Sequence, residues 1–244
     1  MEVEEMILKD LVQNLDILEV IGSLEKGIDK IVYDSRQVES GSLFICIEGF
    51  KLDGHIFIDK AIQNGAVAVL IEKEIDEYIE GITYIKVTDS RESMAYLSAV
   101  FFEDPLKKLD LIGVTGTNGK TTTTYLIKKM MDNIGRGTGL IGTIKNIIAD
   151  KTLPATRTTP ESLDLYNLYK KMADAKLSQV VMEVSSHALD LKRVVNMEFK
   201  IAIFTNITQD HLDYHQSIDE YLKAKCKLFE QIKADGYAVI NTDD

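Results

Sequence analysis

Cysteine is scarce in this chain. Its 244 residues include two, Cys46 and Cys226, one in the apolar run Leu43–Ile47 and one in a helical pattern. A disulfide framework or a zinc site is not expected, and the natural setting is a reducing cytoplasm. Long apolar runs are also missing, and none approaches the ~20 residues needed to cross a bilayer. The opening residues, Met1–Glu5, are acidic and carry neither the basic nor the apolar stretch of a secretory signal. Positive charge is short as well. With 28 Lys and Arg against 39 Asp and Glu, the net charge is −11, which argues against general affinity for nucleic acid or anionic membranes. Any anionic ligand must be held locally, by lysines, arginines and backbone N–H groups. What is present is ordinary globular composition, 45% hydrophobic and 27% charged, at a length expected for about two domains. There are no repeats and no low-complexity tracts.

The first part of the chain reads as short alternating units. Ile31–Tyr33, Leu43–Ile47, Ala66–Ile71 and Ile82–Val87 are strand-like, and residues 55–64 are helix-like. A helix is expected over Asp89–Phe102, with Ser90 as a candidate cap and Pro105 beyond its end. The polar stretch Glu103–Lys108 reads as a boundary, giving expected domains of 1–107 and 108–244. From Leu109 the β/α alternation is clearer. Strands are expected at Leu109–Val114, Gly139–Ile144, Gln179–Val184, Phe199–Asn206 and from Tyr237 to Ile240. Helices are expected over Lys120–Asn133, from Pro160 to Ala175 with Thr159 as cap, and over Ile218–Ile232. Apolar strands separated by helices imply a mostly parallel sheet covered on both faces. The fold class is therefore α/β, a small N-terminal α/β domain followed by a P-loop NTPase-like, mostly parallel sheet domain. The chain stops at Asn241–Asp244, directly after a strand, and a fragment of a longer product is expected.

The segment Gly113–Thr122 joins a strand to a helix through glycine-rich sequence, and this arrangement presents backbone N–H groups and a helix N-terminus to phosphate. Gly116, Thr117, Asn118, Gly119, Lys120, Thr121 and Thr122 are the candidate nucleotide-binding residues. Lys120 would reach the β- and γ-phosphates, and the Thr121 hydroxyl would ligate Mg²⁺. Val114 stands where the strict motif has its first glycine. A glycine-rich turn before an ordinary helix is the bland alternative.

Three further segments follow predicted strands, where open α/β sheets bind ligands. In Met182–Leu189, Glu183 is placed to hold Mg²⁺ beside phosphate, or else is a buried carboxylate satisfied by backbone N–H groups. Thr205–His215 gathers two of the four histidines with two aspartates, which suits metal or phosphate chemistry or an ordinary polar loop. In the following helix, Ile218, Tyr221, Lys225, Leu228 and Ile232 share one face. Lys225 thus falls in the apolar stripe, while Lys223 and Lys227 fall on the solvent side. Burial makes a neutral amine available, which can take up CO₂ as a metal-ligating carbamate. Alternatively, the ammonium snorkels out.

Together these segments resemble the Mur ligase family. The resemblance rests on Gly116–Thr122, Thr158–Glu161, Glu183–Leu189 and Asp210–His215. In the N-terminal part it rests on Tyr33–Arg36, Gly41–Phe44 and Gly49–His55. The wording is closest to the branch that adds the third peptide residue in peptidoglycan synthesis. The resemblance implies ATP and two Mg²⁺ ions as cofactors, and UDP-N-acetylmuramoyl-dipeptide and a diamino acid as substrates. It implies Ser35 and Phe50–Leu52 near uridine diphosphate, and Thr158, Thr159, Ser185 and Arg193 on the UDP-muramoyl-dipeptide. It gives Thr121, Glu183, His211 and Lys225 to magnesium, with Lys225 carbamylated, and makes Lys120, Lys225 and His211 the catalytic set. By this resemblance the family's C-terminal, amino-acid-selecting domain is expected to be absent from the chain.

The implied chemistry is phosphorylation of the D-glutamyl carboxylate by ATP, then attack of an amine on the acyl phosphate. The alternatives are another amide ligase of the superfamily, such as a folylpolyglutamate synthetase, and a non-catalytic module that binds nucleotide and UDP-substrate.

Overall fold

The computed structural model describes residues 6–50, 52–210 and 212–243. His211 lies outside the described residues. The chain forms two compact units, one ending at Glu103 and the other beginning at Asp104.

The first unit contains β1 (Met6–Ile7), α1 (Leu8–Leu11), β2 (Ile17–Ile21), β3 (Gly27–Ile28), β4 (Lys30–Val32), β5 (Ser42–Ile45), α2 (Ile58–Gln63), β6 (Ala66–Ile71), β7 (Thr83–Val87) and α3 (Ser90–Phe101). Its main sheet has the order β2-β7-β6-β5-β4. β4 to β7 are mutually parallel and β2 joins β7 antiparallel. The apolar strands sit in a core with Phe44, Val69 and Tyr84 at its centre. The cap of α3 is Asp89 rather than Ser90. The Asp89 carboxylate accepts from Glu92 N–H at 2.9 Å, while Ser90 is buried and bonds to Glu72.

The second unit contains β8 (Asp110–Thr115), α4 (Lys120–Asn133), β9 (Thr138–Ile141), β10 (Lys145–Ile148), β11 (Lys151–Pro154), α5 (Ser162–Asp174), β12 (Gln179–Glu183), α6 (Ser186–Asp190), β13 (Phe199–Phe204), α7 (Leu212–His215), α8 (Ile218–Cys226) and β14 (Ile232–Ile240). Its seven-stranded sheet runs β11-β10-β9-β12-β8-β13-β14. The five strands from β9 to β14 in that order are parallel, and β10 and β11 form an antiparallel hairpin at the edge. Ile112, Val114, Leu140 and Val181 pack at its centre. Among the described residues, no helix is long and apolar enough to cross a membrane.

Three expectations in this unit are corrected. β9 ends at Ile141, so Gly142–Ile144 leaves the sheet. α5 starts at Ser162, and Thr159 is not its cap because its hydroxyl is engaged at the end of β12. α8 stops at Cys226. A short 3₁₀ turn, Phe229–Gln231, follows, and Ile232 pairs with Phe199 in the sheet. Strand pairing with β13 prevails there over the helical periodicity.

Candidate active site

The C-terminal ends of β8, β9, β12 and β13 share one edge of the second sheet. The loops leaving them carry Gly116–Gly119, Gly142–Thr143, Val184–Ser185 and Thr205–Thr208. In a parallel sheet this edge is where ligands bind.

The glycine loop is braced by the segment after β13. Thr117 N–H donates to Asn206 O at 2.9 Å and Asn118 N–H to Asn206 Oδ1 at 2.8 Å. The Thr205 hydroxyl donates to Asn118 O at 2.6 Å. Gly116 has φ of +141°, and a Cβ there would lie 2.0 Å from Thr205 Oγ1. Gly116 thus meets the need for close backbone approach. Val114 is buried within β8 and stays in register with Glu183 and Ile203, which accounts for its departure from the strict motif. α4 begins at Lys120 directly after the loop.

Two lysines converge on one carbonyl of this loop. Lys120 Nζ donates to Gly116 O and Thr117 O, each at 2.8 Å, and Lys225 Nζ donates to Gly116 O at 2.8 Å. Lys225 is 1% exposed, so its ammonium does not snorkel. Its Nζ stands 4.2 Å from the centroid of the Tyr221 ring, and the Tyr221 hydroxyl lies 3.3 Å from Thr117 Oγ1. Burial, reinforced by the charge of Lys120 and opposed by Asp210, pushes the Lys225 amine down to about 7. Burial also lowers Lys120, against the pull of Glu183 and Asp210.

On the other flank, Glu183 is buried at the end of β12. Thr121 Oγ1 donates to Glu183 Oε2 at 2.9 Å, and Thr143 N–H donates to Oε1 at 2.9 Å. The Thr143 hydroxyl is 3.0 Å from both Glu183 Oε2 and Thr158 Oγ1. The Thr159 hydroxyl donates to Glu183 O at 2.9 Å and accepts from Ser185 N–H at 3.1 Å. Ser185 caps α6 by accepting from Ala188 N–H at 3.2 Å. Arg193 donates to Thr159 O at 3.1 Å and pairs with Glu161 at 2.9 Å, and Arg157 pairs with the same Glu161 oxygen at 2.7 Å.

The structure therefore brings Thr121, Glu183 and Thr158 together, and separately Lys120 and Lys225 on Gly116. Thr122 is exposed on the first turn of α4. Ser35 belongs to the first unit, where its carbonyl accepts from Asn64 Nδ2 at 3.0 Å. Sequence reasoning missed Thr143, Tyr221 as a wall for Lys225, and the bracing role of Thr205 and Asn206. A signal for Thr143 existed, because Gly142-Thr143 directly follows a buried strand of the sheet.

Thr121 and Glu183 offer hard oxygen donors to one point, which suits Mg²⁺. Among the described residues no group of three or more His, Cys, Asp or Glu forms a metal cage. Mg²⁺ does not need one, since it commonly keeps waters and phosphate oxygens as ligands.

Comparison with known proteins places these features in context. The Mur ligase middle domain matches residues 114–244, and the Mur ligase family catalytic domain matches residues 27–102. The UDP-N-acetylmuramoyl-L-alanyl-D-glutamate–2,6-diaminopimelate ligase of Alkaliphilus metalliredigens is 52% identical, over 98% of this chain and 48% of its own length. The enzyme of the same name from Clostridium perfringens is 47% identical, over 98% and 49%. A solved structure of a ligase of that name superposes with a TM-score of 0.83 at 29% identity, covering 98% of this chain and 48% of the other. MurF from Acinetobacter baumannii shares the fold, with a TM-score of 0.68 at 22% identity over 98% of this chain and 49% of its own. The chain spans about half the length of the curated relatives it matches.

Proposed function

The chain belongs to the Mur ligase family, and we propose that it carries the carboxylate-activating part of a ligase that joins a diamino acid to UDP-N-acetylmuramoyl-L-alanyl-D-glutamate. The observation that carries this reading is the Thr121–Glu183 bond of 2.9 Å facing a loop gripped by Lys120 and Lys225. A hydroxyl and a carboxylate suited to magnesium on one flank, with the Lys120 amine and a second, buried amine open to carbamylation on the other, suit transfer of a phosphoryl group. The reading is also supported by relatives named for 2,6-diaminopimelate, which is a diamino acid.

The unit from Asp104 binds ATP, and the unit ending at Glu103 binds the uridine diphosphate through Ser35 and Phe50–Leu52. Thr121 and Glu183 would hold one Mg²⁺, and His211, which lies outside the described residues, and Lys225 would hold a second. Magnesium bound there would neutralise phosphate charge. Lys120 leaves the Gly116 and Thr117 carbonyls for the β- and γ-phosphates. The loop N–H groups orient the triphosphate, and Thr158, Thr159, Ser185 and Arg193 hold the UDP-muramoyl-dipeptide. The D-glutamyl carboxylate oxygen attacks the γ-phosphorus, ADP departs, and an acyl phosphate results. The amine of the diamino acid then displaces phosphate to form the amide. Lys225 enters as its carbamate. Its neutral Nζ forms a bond to the carbon of CO₂ and releases a proton, which converts a buried amine into an anionic oxygen ligand.

A second reading is a module that binds both substrates without turnover. The deciding experiment gives this chain ATP, Mg²⁺ and UDP-muramoyl-dipeptide, and traps acyl phosphate by borohydride reduction to the alcohol. Phosphate release that depends on the dipeptide, with trapped alcohol, supports activation. Tight binding of both ligands with neither product leaves the binding module. Failure to bind either ligand sinks both readings.

A further inference from the structure

The motif Asp210–His215 ends on a histidine that the phosphoryl-transfer reading leaves without a role. His215 closes α7, two residues before Ser217, whose hydroxyl caps α8 by accepting from Glu220 N–H at 3.2 Å. His215 is 5% exposed. Burying an imidazole costs free energy unless its nitrogens are bonded, and a phenylalanine would fill a similar volume without that cost. What distinguishes the imidazole here is where its bond ends.

His215 Nε2 and Ser186 Oγ share a hydrogen bond of 2.9 Å. Ser186 is itself buried, at the start of α6. It adjoins Ser185, whose N–H donates to the Thr159 hydroxyl at 3.1 Å. The His215 ring also stands 5.2 Å from the Tyr221 ring of α8, centroid to centroid, and 5.5 Å from the His187 ring in an edge contact. Such ring pairs stabilise beyond the burial of their surface. Tyr221 in turn walls the Lys225 amine at 4.2 Å, and its hydroxyl lies 3.3 Å from Thr117 Oγ1. Thr117 Oγ1 accepts from Thr208 N–H at 3.0 Å, so the glycine loop is tied to the segment that leads into α7. The helices α6 and α8 pack against each other, and His215 contacts both. One contiguous path thus runs from Thr159 and Ser185 through Ser186, His215 and Tyr221 to the glycine loop.

We propose that His215 is a positioning residue for the phosphoryl transfer, joining the α6 segment that meets the dipeptide to the Tyr221 ring that seats Thr117 and Lys225. This rests on the reading above that the glycine loop binds a nucleoside triphosphate and that Ser185 meets the dipeptide. Packed side chains and hydrogen bonds in contact with one another carry energetic coupling between sites. The Ser186 hydroxyl then matters to the nucleotide, although Ser186 follows β12 and the glycine loop follows β8. A histidine that only filled space would transmit nothing from that hydroxyl. Losing one buried hydrogen bond weakens what it supports about fivefold.

The test is calorimetric titration of ADP with Mg²⁺, and separately of UDP-muramoyl-dipeptide, into this chain and its variants. Ser186→Ala and His215→Phe should each weaken both ligands about fivefold. The double variant should be no weaker than either single one, because both changes break the same bond. His215→Gln, which carries an amide to the place of Nε2, should recover part of the loss. ADP affinity unchanged in Ser186→Ala overturns the proposal. That variant loses only a hydroxyl, so it decides the matter even where His215→Phe does not fold. Losses that add in the double variant, or a His215→Gln as weak as His215→Phe, return His215 to a space-filling role. Dipeptide affinity unchanged in Ser186→Ala while ADP weakens removes the Ser185 reading, and the joining role with it. ADP left unbound by the unaltered chain removes the nucleotide reading beneath the proposal.

Discussion

Replacing Lys225 by methionine should make this protein more stable while disabling it. Lys225 is 1% exposed and its amine is pushed from the ordinary 10.5 down to about 7. At about 1.4 kcal/mol per pH unit, that displacement corresponds to about 5 kcal/mol against the buried ammonium. The sign follows from linkage. Between pH 7 and 10.5 the unfolded chain holds the proton and the folded chain does not, so stability rises with pH across that window. The penalty is fully present below the folded value and gone above the unfolded one. Methionine fills similar volume without charge. It loses one hydrogen bond, worth about 1 kcal/mol, and Gly116 O still accepts from Lys120 at 2.8 Å. The expected net gain is about 3 kcal/mol near pH 7, fading to about zero by about pH 10. Urea denaturation in EDTA at several pH values measures it, with ATP-dependent phosphate release as the functional readout. A variant less stable than the parent at neutral pH, or a difference that does not change with pH, would refute the reasoning.

Gly142→Ala should act on Glu183 alone, because the new Cβ would lie 2.3 Å from its Oε1. Overpacking of about 1–3 kcal/mol should lower the melting temperature modestly, and magnesium-dependent tightening of ADP binding, followed by calorimetry, should be largely lost. Gly116→Ala combines φ of +141° with a Cβ 2.0 Å from Thr205 Oγ1, so ADP affinity should fall at least tenfold; near-normal affinity would show that the loop does not hold phosphate. Burial opposes ionisation of Asp53, but bonds from Lys73 and from the backbone and ring of His55 outweigh it and hold the carboxyl well below the usual range. The stability it gives is complete above about pH 4 and is lost as pH falls through the folded value. The parent's advantage over Asp53→Asn in urea should therefore shrink on acidification, and an advantage that grows would contradict the assignment.

The features legible in the sequence were those decided locally. The glycine loop and the start of α4 depend on contiguous residues, and Lys225 stands out because Tyr221 and Leu228 share its helical face. Other features are settled across the sheet. Thr143 reaches Glu183 only because β9 lies beside β12, with Ile141 opposite Met182. Thr159 has the chemistry of a helix cap, yet its hydroxyl finds Glu183 O and Ser185 N–H instead. The apolar stripe of α8 runs on to Ile232, and only pairing with Phe199 turns that residue into strand. The β10–β11 hairpin escaped notice because Lys145, Asn146, Lys151 and Thr152 dilute its apolar pattern, and its register depends on a cross-strand partner. The order of the strands rests on such long-range pairings and cannot be read from periodicity.

The charges at the second site are arranged in a way that stability alone would not select. Lys120 and Glu183 lie close enough to influence each other, yet they do not form an ion pair. The lysine spends its donors on the Gly116 and Thr117 carbonyls. The carboxylate takes bonds from the hydroxyls of Thr121 and Thr143 and from Thr143 N–H. Glu183 is buried and Lys120 half-buried, and each charge is bonded to neutral dipoles, which hold it in place without cancelling it. A direct ion pair would have to be broken before either partner could meet a ligand, and breaking a buried pair costs about 3–5 kcal/mol. Neutral partners are exchanged more cheaply for phosphate oxygens or a cation. In a low-dielectric setting the new charge–charge contacts are then stronger than they would be in water. For a chain of net charge −11, whose overall field repels a triphosphate, a Lys120 amine held by neutral carbonyls at the loop is the local attraction that the proposed binding needs.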